Sequence, residues 1–207
     1  MFRDGVRSWT LKHRAWIAGQ RLPDPLAHAA LQQMLIHLDG IDRQLELLDA
    51  RLEEIAHHER WAWQVDRLRQ FRGIRTLTAL GLIAEIGDFA RFRHPRELAS
   101  WLGITPTEYS SGASQHRGHI TKAGNRHARR LLVEAAWHYR HQPRRPAAGP
   151  VSDRAWQAQV RLHARHRHLT AQGKRPTVAT VAIARELAAF LWADLTDQPA
   201  RAQEATA

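Results

Sequence analysis

The chain has 207 residues, of which 43% are hydrophobic and 25% charged, and it carries a net charge of +11. The lack of cysteine excludes disulfides, zinc ribbons and thiol nucleophiles. No apolar run approaches the roughly 20 residues of a membrane span, and the first residues do not resemble a signal peptide. We therefore expect a soluble, cytoplasmic protein whose arginine surplus binds a polyanion, nucleic acid rather than an anionic membrane. A GC-rich genome is the alternative source of that surplus.

The N-terminal part of the sequence predicts an arm followed by one long helix. Residues 1–23 have no long periodicity and are interpreted as the arm, whereas Asp24-Pro25 is typical of a helix start. Residues 24–60 then carry apolar side chains at alternating steps of three and four, which predicts a coiled-coil helix. We expect a homo-oligomer through this helix, with an arm of an intramolecular helical hairpin as the alternative. The apolar positions are Leu31, Met34, Leu38, Ile41, Leu45, Leu48, Leu52 and Ile55.

Residues 61–142 are predicted to form the core of a compact helical domain. A helical pattern continues to Leu68, is interrupted around Gly73, and resumes as an apolar helix that Gly87 ends. A helix, a glycine turn and an apolar helix together resemble the helix-hairpin-helix module, which binds the backbone of duplex DNA. The usual second glycine of that module is replaced by Arg75.

A polar segment over residues 104–125 is predicted to be a loop, and Asn125 is well suited to cap the helix that follows. Three arginines in the first two turns of that helix oppose its dipole, and a bound phosphate would offset the repulsion. The same helix has a periodic apolar stripe that predicts its core-facing side. The stripe consists of Ala128, Leu131, Leu132, Ala135, Ala136 and Tyr139.

The C-terminal third of the sequence predicts two more helices and a tail. Residues 142–152 are interpreted as a linker. We expect residues 143–196 to supply a basic helix ending at Gly173 and an apolar helix beginning at Pro176, both packing on the core. Residues 197–207 are interpreted as a disordered tail. Without an internal repeat or an alternating strand, the fold class is all-α: a long coiled-coil helix and a compact helical domain with a helix-hairpin-helix-like unit.

The segment Tyr109-Ser110-Ser111-Gly112 is the best candidate for chemistry. A serine hydroxyl attacks a phosphodiester only when cations stabilise the crowded phosphorus, and several cations follow closely in the sequence. Glycine after the serine lets the backbone approach a phosphate, although Ser-Gly in a loop is also an ordinary turn. We predict that nucleic acid is bound by Arg117, Lys122, Asn125, Arg126, Arg129 and Arg130.

We assign no metal site and no cofactor to this chain. The histidine sets His138/His141 and His163/His166/His168 include no carboxylate or cysteine that would complete a site. A magnesium nuclease needs clustered acids, but the acidic residues are scattered, and Glu85 lies in an apolar helix where a structural pairing is expected.

Four stretches resemble the C-terminal domain of the IS-110/116/902-type insertion-sequence transposases. They are Phe71 to Phe89, Phe92 to Gly103, Pro106 with Ser110-Ser111-Gly112, and Ile120 to Trp137. The resemblance is strong over roughly residues 65–142. It implies a family that recombines DNA, guided by a structured RNA, with a serine that attaches covalently to a DNA end. It implies Ser111 as the nucleophile, with Ser110 as the alternative.

The resemblance also implies an N-terminal RuvC-like domain with a DEDD set of acids that binds magnesium, followed by a coiled coil. Since this sequence begins near the coiled coil, we expect that domain and its magnesium to be missing. The chain would then be the DNA-binding, serine-bearing half of a transposase, inactive by itself. The alternative is a non-catalytic, oligomerising DNA- or RNA-binding module.

Overall fold

A computed structural model describes residues 9–111, 114–145 and 151–197. Its α-helices are α1 (Leu11–Ala18), α2 (Pro25–Ala56), α3 (Glu59–Arg69), α4 (Thr76–Ile86), α5 (Pro95–Trp101), α6 (Arg126–Ala136), α7 (Asp153–Ala171) and α8 (Pro176–Thr196). Short 3-10 helices cover Phe89–Arg91 and Trp137–Arg140. Two strands, β1 (Pro106–Ser111) and β2 (Ser114–Ile120), complete these elements. The predicted all-α class and its long N-terminal helix are confirmed. The predicted tail lies outside the described residues except for Asp197.

The chain divides into two compact units, residues 1–51 and 52–207. In the first unit, the predicted arm contains helix α1, whose Arg14 forms ion pairs with Asp39 and Asp42 of α2. Five of the eight heptad side chains on α2 are exposed, including Met34 at 69% and Leu45 at 53%, whereas Leu31, Leu38 and Leu52 are half-buried. The coiled coil itself stays a prediction.

Helix boundaries in the second unit follow the local signals in the sequence. Gly87 has the φ of +68° that ends α4, and Pro95 and Pro176 are the first residues of α5 and α8. The Asn125 side chain accepts a hydrogen bond from the Ala128 amide at 2.8 Å, so it caps α6 as predicted. Among the described helices, none combines the length and the apolar character that crossing a bilayer requires.

Helix α8 lies at the centre of the second unit, where it contacts α3, α5, α6 and α7. Its inner face is buried, including Ile183, Leu187 and Leu191, whereas Val178 is 51% exposed and Phe190 is half-buried. It also buries the carboxylate of Asp194, which lies 3.1 Å from Arg67 of α3 and 3.6 Å from Arg154 of α7. Burial raises the pKa of Asp194 even though both arginines favour the charged form. The ion pairs therefore link three helices without removing the cost of burying the charge.

Helices α4 and α6 pack side by side in opposite directions. At one end, the turn before α4 reaches α6 through Gly73, where an added Cβ would lie 2.6 Å from the Ala135 carbonyl oxygen. Gly73 also has a φ of +85°, which favours glycine. At the other end, Glu85 near the C-terminus of α4 contacts the first residues of α6. The predicted apolar stripe of α6 is buried throughout.

The prediction of a loop over residues 104–125 was wrong for most of its length, because β1 and β2 form an antiparallel hairpin there. Both strands are rich in polar side chains and lack the apolar alternation that identifies a half-buried strand. Backbone pairing between the strands supplies the order that an apolar face would otherwise provide. The hairpin is inserted between α5 and α6.

Candidate nucleic-acid interface

The base of the hairpin is held by backbone hydrogen bonds between its two flanking segments. The amide of Thr121 donates to the Thr105 carbonyl at 2.9 Å, and the amide of Lys122 donates to the Gly103 carbonyl at 3.0 Å. Gly124 fits because a side chain there would clash with the Trp101 carbonyl oxygen. The Lys-x-Gly-Asn stretch thus packs its backbone directly on the end of α5.

An irregularity in the register shapes the lower part of the hairpin. Pro106 pairs with Ile120, whereas Glu108 pairs with Arg117, so β2 has one extra residue at this point. The Thr107 hydroxyl donates to the His119 carbonyl at 2.9 Å, and a side chain on Gly118 would clash with Thr107. This is a β-bulge, which increases the local twist of the two strands.

The candidate nucleophiles lie at the far end of the hairpin. Ser111 pairs with Ser114, and Ser110 pairs with Gln115, as the last register positions before the tip. Gly112 lies outside the described residues, as do the side chains of residues 109–117. Five strand residues at 3.3–3.4 Å each place Ser111 about 17 Å from the start of β1 at Pro106.

That distance separates the serines from most of the predicted cations. Lys122 and the start of α6 follow the base of the hairpin, not its tip. Among the predicted cations, Arg117 alone belongs to the strand that pairs with the serine-bearing strand. The proximity of Ser111 to Lys122, Arg126 and Arg129 in the sequence therefore does not become proximity in the fold.

A carboxylate from α4 lies at the N-terminus of α6. The side-chain nitrogen Nδ2 of Asn125 donates to one carboxylate oxygen of Glu85 at 2.6 Å. His127 Nδ1 lies 2.8 Å from the other oxygen of the same carboxylate. The bond from Asn125 contributes most to lowering the pKa of Glu85, followed by the bond from His127. The structural pairing expected of Glu85 is thus present, and its negative charge favours this helix end. A phosphate at the same place would meet a carboxylate.

The predicted cations of this region differ in their surroundings. The Arg129 guanidinium donates to the carbonyl oxygens of Leu102 at 2.8 Å and Lys122 at 3.3 Å, so it holds two backbone segments together. Arg130 forms an exposed ion pair with Glu134. Arg126 and Lys122 are exposed, and Lys122 has a φ of +55°, an uncommon backbone conformation for a residue with a side chain.

The structure also forms a basic groove that the sequence reasoning missed. The groove is lined by arginines from α3, from the turn before α4 and from the segment after the second 3-10 helix. Arg69 was predicted to lie at the end of a helix, Arg72 and Arg75 in the helix-hairpin-helix-like turn, and Arg144 and Arg145 in a linker. Nothing in the sequence indicated that these three segments converge. The arginines that line the groove are Arg69, Arg72, Arg75, Arg144 and Arg145.

Comparison with known proteins matches residues 65–148 to the family model for the Transposase IS116/IS110/IS902 family. Residues 65–148 belong to the IS116/IS110/IS902 transposase family. This segment runs from α3 through the hairpin and α6 to the segment that borders the basic groove. The family named from the sequence is confirmed.

Matches to individual relatives extend beyond residues 65–148. Over 198 residues the chain is 39% identical to y4qE of Sinorhizobium fredii, assigned as a transposase, covering 91% of this chain and 47% of that protein. A family 20 transposase assigned in Pseudomonas aeruginosa is 36% identical over 115 residues, or 55% and 34% of the two chains. The transposase for insertion sequence element IS1533 of Leptospira borgpetersenii is 26% identical over 183 residues, or 82% and 52%. The chain spans about half the length of these relatives or less.

Proposed function

We propose that this chain is the DNA-binding, serine-bearing module of an insertion-sequence transposase. The family match over residues 65–148 and the net charge of +11 support a nucleic-acid partner. The observation that carries the proposal is the hairpin, which presents Ser110 and Ser111 at the last paired positions before its tip. Ser111 is the proposed nucleophile and Ser110 the alternative.

The hairpin suggests how a duplex would lie on this module. Lys122 and Arg126, exposed beside the base of the hairpin, would contact backbone phosphates. Ser111 lies about 17 Å from the base of the hairpin. It would therefore meet a phosphodiester about five nucleotides, at about 3.4 Å each, along one DNA strand from the phosphates at the base. Arg117, on the strand that pairs with β1, is the predicted cation for that phosphodiester. Asn125, Arg129 and Arg130 would support this interface from α6.

The proposed chemical step is a transesterification. The Ser111 oxygen attacks phosphorus and forms a P–O bond while the bond from phosphorus to one sugar oxygen breaks. The serine proton passes to a base or to water, and the leaving sugar oxygen takes up a proton, so the DNA strand ends in a free hydroxyl. The phosphodiester is conserved as a serine–DNA ester, and a second sugar hydroxyl can reverse the step onto another strand.

Two further partners are proposed from the family resemblance. A structured guide RNA would assemble with the family's full-length transposases, and magnesium would belong to their RuvC-like domain. Within the described residues, no three His, Asp or Glu side chains are grouped to hold a metal ion. The donor set described here therefore does not fit magnesium, and no step above is routed through a metal.

Formation of a covalent serine–DNA adduct tests the proposed chemistry. The protein is mixed with end-labelled, strand-nicked DNA carrying the element ends, and denaturing gel electrophoresis followed by peptide mass spectrometry locates any attached nucleotide. The family's complete reaction would need the RuvC-like domain, but on a strand that is already nicked the serine step alone should leave an adduct on Ser111 that is lost in Ser111→Ala. Ser114→Ala, on the facing position of the same hairpin, is the matched control and should retain it. An adduct that survives both Ser111→Ala and Ser110→Ala would overturn the assignment.

A second candidate function is a non-catalytic, oligomerising module that binds DNA or RNA. The separation between the serine positions and the exposed Lys122 and Arg126 favours it, because a nucleophilic serine needs cations at the reacting phosphate. This candidate predicts salt-sensitive binding without an adduct. Binding that is unchanged in Ser111→Ala, together with no adduct on any DNA end, would favour it over the transesterase.

A further inference from the structure

We infer that the groove between the turn before α4 and the segment 141–145 is a second binding site for a nucleic-acid phosphodiester backbone. The groove encloses about 1220 Å³ and is lined by five arginines and one acidic residue, Asp66. Glu53 pairs with Arg69, which leaves the other four arginines without a carboxylate partner among the described residues. The inference shares a nucleic-acid partner with the proposed function but does not depend on serine chemistry.

The walls of the groove are held in place by specific contacts. The Arg72 guanidinium donates to the His141 and Gln142 carbonyl oxygens at 3.2 and 2.7 Å, which fixes the segment 141–145 against the turn. On the same segment, the amide of Arg144 lies 3.4 Å from the side-chain oxygen of the buried Gln159. The groove is therefore built from anchored segments, and its arginines come from two stretches of the sequence, 69–75 and 144–145.

The exposed arginines of the groove are suited to phosphate. The Arg145 guanidinium lies 4.7 Å from the centre of the Trp156 ring, a cation–π contact that orients its planar donors. Arg75 and Arg144 are exposed, and neither side chain has an ion pair among the described residues. Arginines in this arrangement favour a line of phosphates over an isolated carboxylate.

The positive charge of the groove also affects the pKa of a neighbouring histidine, His138. Partial burial lowers the pKa of His138, and the positive charges of Arg72, His141, Arg140 and Arg75 lower it further. A positive potential that disfavours a protonated imidazole favours an anion in the same place.

This groove is distinct from the interface at the hairpin. The antiparallel helices α4 and α6 carry Arg75 at the groove end and Glu85 at the hairpin end. Ten residues at a rise of 1.5 Å separate these ends by about 15 Å. The module would therefore hold nucleic acid at two places, of which the groove is remote from the serine.

Binding measurements with charge-reversed variants test the groove. Fluorescence anisotropy of a labelled 20-base-pair DNA duplex and of a labelled RNA hairpin is measured from about 50 to 300 mM salt. The double variant Arg75→Glu/Arg144→Glu leaves Arg72, with its structural contacts, in place. Arg93→Glu/Arg167→Glu is the matched control, because both side chains are exposed, lie outside the groove and change the net charge equally.

We expect the groove variant to lose at least about tenfold in affinity at 100 mM salt, and the slope of log K against log salt to fall by about two. The control variant should lose less than about threefold. A loss on DNA alone, on RNA alone or on both would support the site and identify the source of its phosphates. If charge reversal reduces thermal stability, the milder variant Arg75→Gln/Arg144→Gln, which changes the charge half as much, is compared with the wild type in the same binding assay.

Three results would overturn the inference. Groove and control variants that bind equally well would refute the groove while leaving the proposed DNA-binding function intact. Competition by poly-L-glutamate that matches duplex DNA at equal charge would instead identify an acidic protein as the partner. Failure of the wild-type chain to bind either nucleic acid would refute both this inference and the proposed function.

Discussion

Replacing Gly73 with alanine tests the close packing of the α3–α4 turn on α6. The left-handed conformation at this position costs an alanine about 1 kcal/mol. The new Cβ would also lie 2.6 Å from the Ala135 carbonyl oxygen and 2.9 Å from the His138 ring, which adds about 2 kcal/mol of overpacking. Gly173→Ala is the matched control, because Gly173 also has a positive φ, of +77°, but has open space around the added atom.

Thermal unfolding followed by circular dichroism at 222 nm separates the two costs. At about 2–4 °C per kcal/mol for a chain of this size, Gly73→Ala should lower Tm by about 6–12 °C. Gly173→Ala should lower it by only about 2–4 °C. Equal losses of Tm would show that the backbone conformation alone matters and would refute the contact between Gly73 and α6. The same variant should weaken nucleic-acid binding at the groove, because Arg72 and Arg75 flank Gly73.

Three shorter predictions concern charge and association. Hydrogen bonds from α6 lower the pKa of Glu85, so its ionised form stabilises the fold above the pKa of an unfolded glutamate, and this contribution is lost as pH falls through the lowered folded value. Glu85→Gln should therefore flatten the acid side of the Tm–pH curve, and the exposed Glu134→Gln should leave its shape unchanged. Asp194→Ala removes a buried counter-ion shared by two partly exposed arginines, so the free energy of unfolding measured in urea should fall by about 2–4 kcal/mol. The surface ion-pair variant Asp197→Ala should lower it by at most about 1 kcal/mol. Equal losses would contradict the buried network. Leu45→Asp, on the exposed heptad face of α2, should convert an oligomer into a monomer in sedimentation equilibrium, and a wild-type monomer at tens of micromolar would refute coiled-coil assembly.

The helices could be predicted from the sequence because their signals are local. Pro95, Pro176, Gly87 and Asn125 mark helix ends through fixed φ angles, missing donors or side-chain caps, and each marks an end in the fold. Helix α1 gave no such periodic signal. When apolar residues lie on every face of a helix, the sequence does not show which face is buried. Helix α4 is such a case, since its Leu77 is 60% exposed.

The hairpin and the groove could not be predicted, for different physical reasons. The hairpin is stabilised by backbone pairing among polar residues, which leaves no hydrophobic pattern. The groove depends on tertiary packing that brings Arg75 and Arg144 together across about 70 positions of sequence. The role of Arg129 also follows from tertiary structure, since its hydrogen-bond acceptors are carbonyls of two other segments. The position of a basic residue close to the serine motif in the sequence therefore does not show whether its side chain is available to bind a phosphate.

The hydrogen bond that joins Thr105 and Thr121 has a consequence for evolution and engineering. The Thr121 amide and the Thr105 carbonyl are 2.9 Å apart, so the fifteen residues between them, 106–120, leave and rejoin the helical framework at one point. Segments of different length or sequence can be accommodated there at a small entropic cost, because loop closure grows only slowly with length. The hairpin that carries the proposed nucleophile could therefore be exchanged between relatives as a unit, with the helices on either side of it left unaltered.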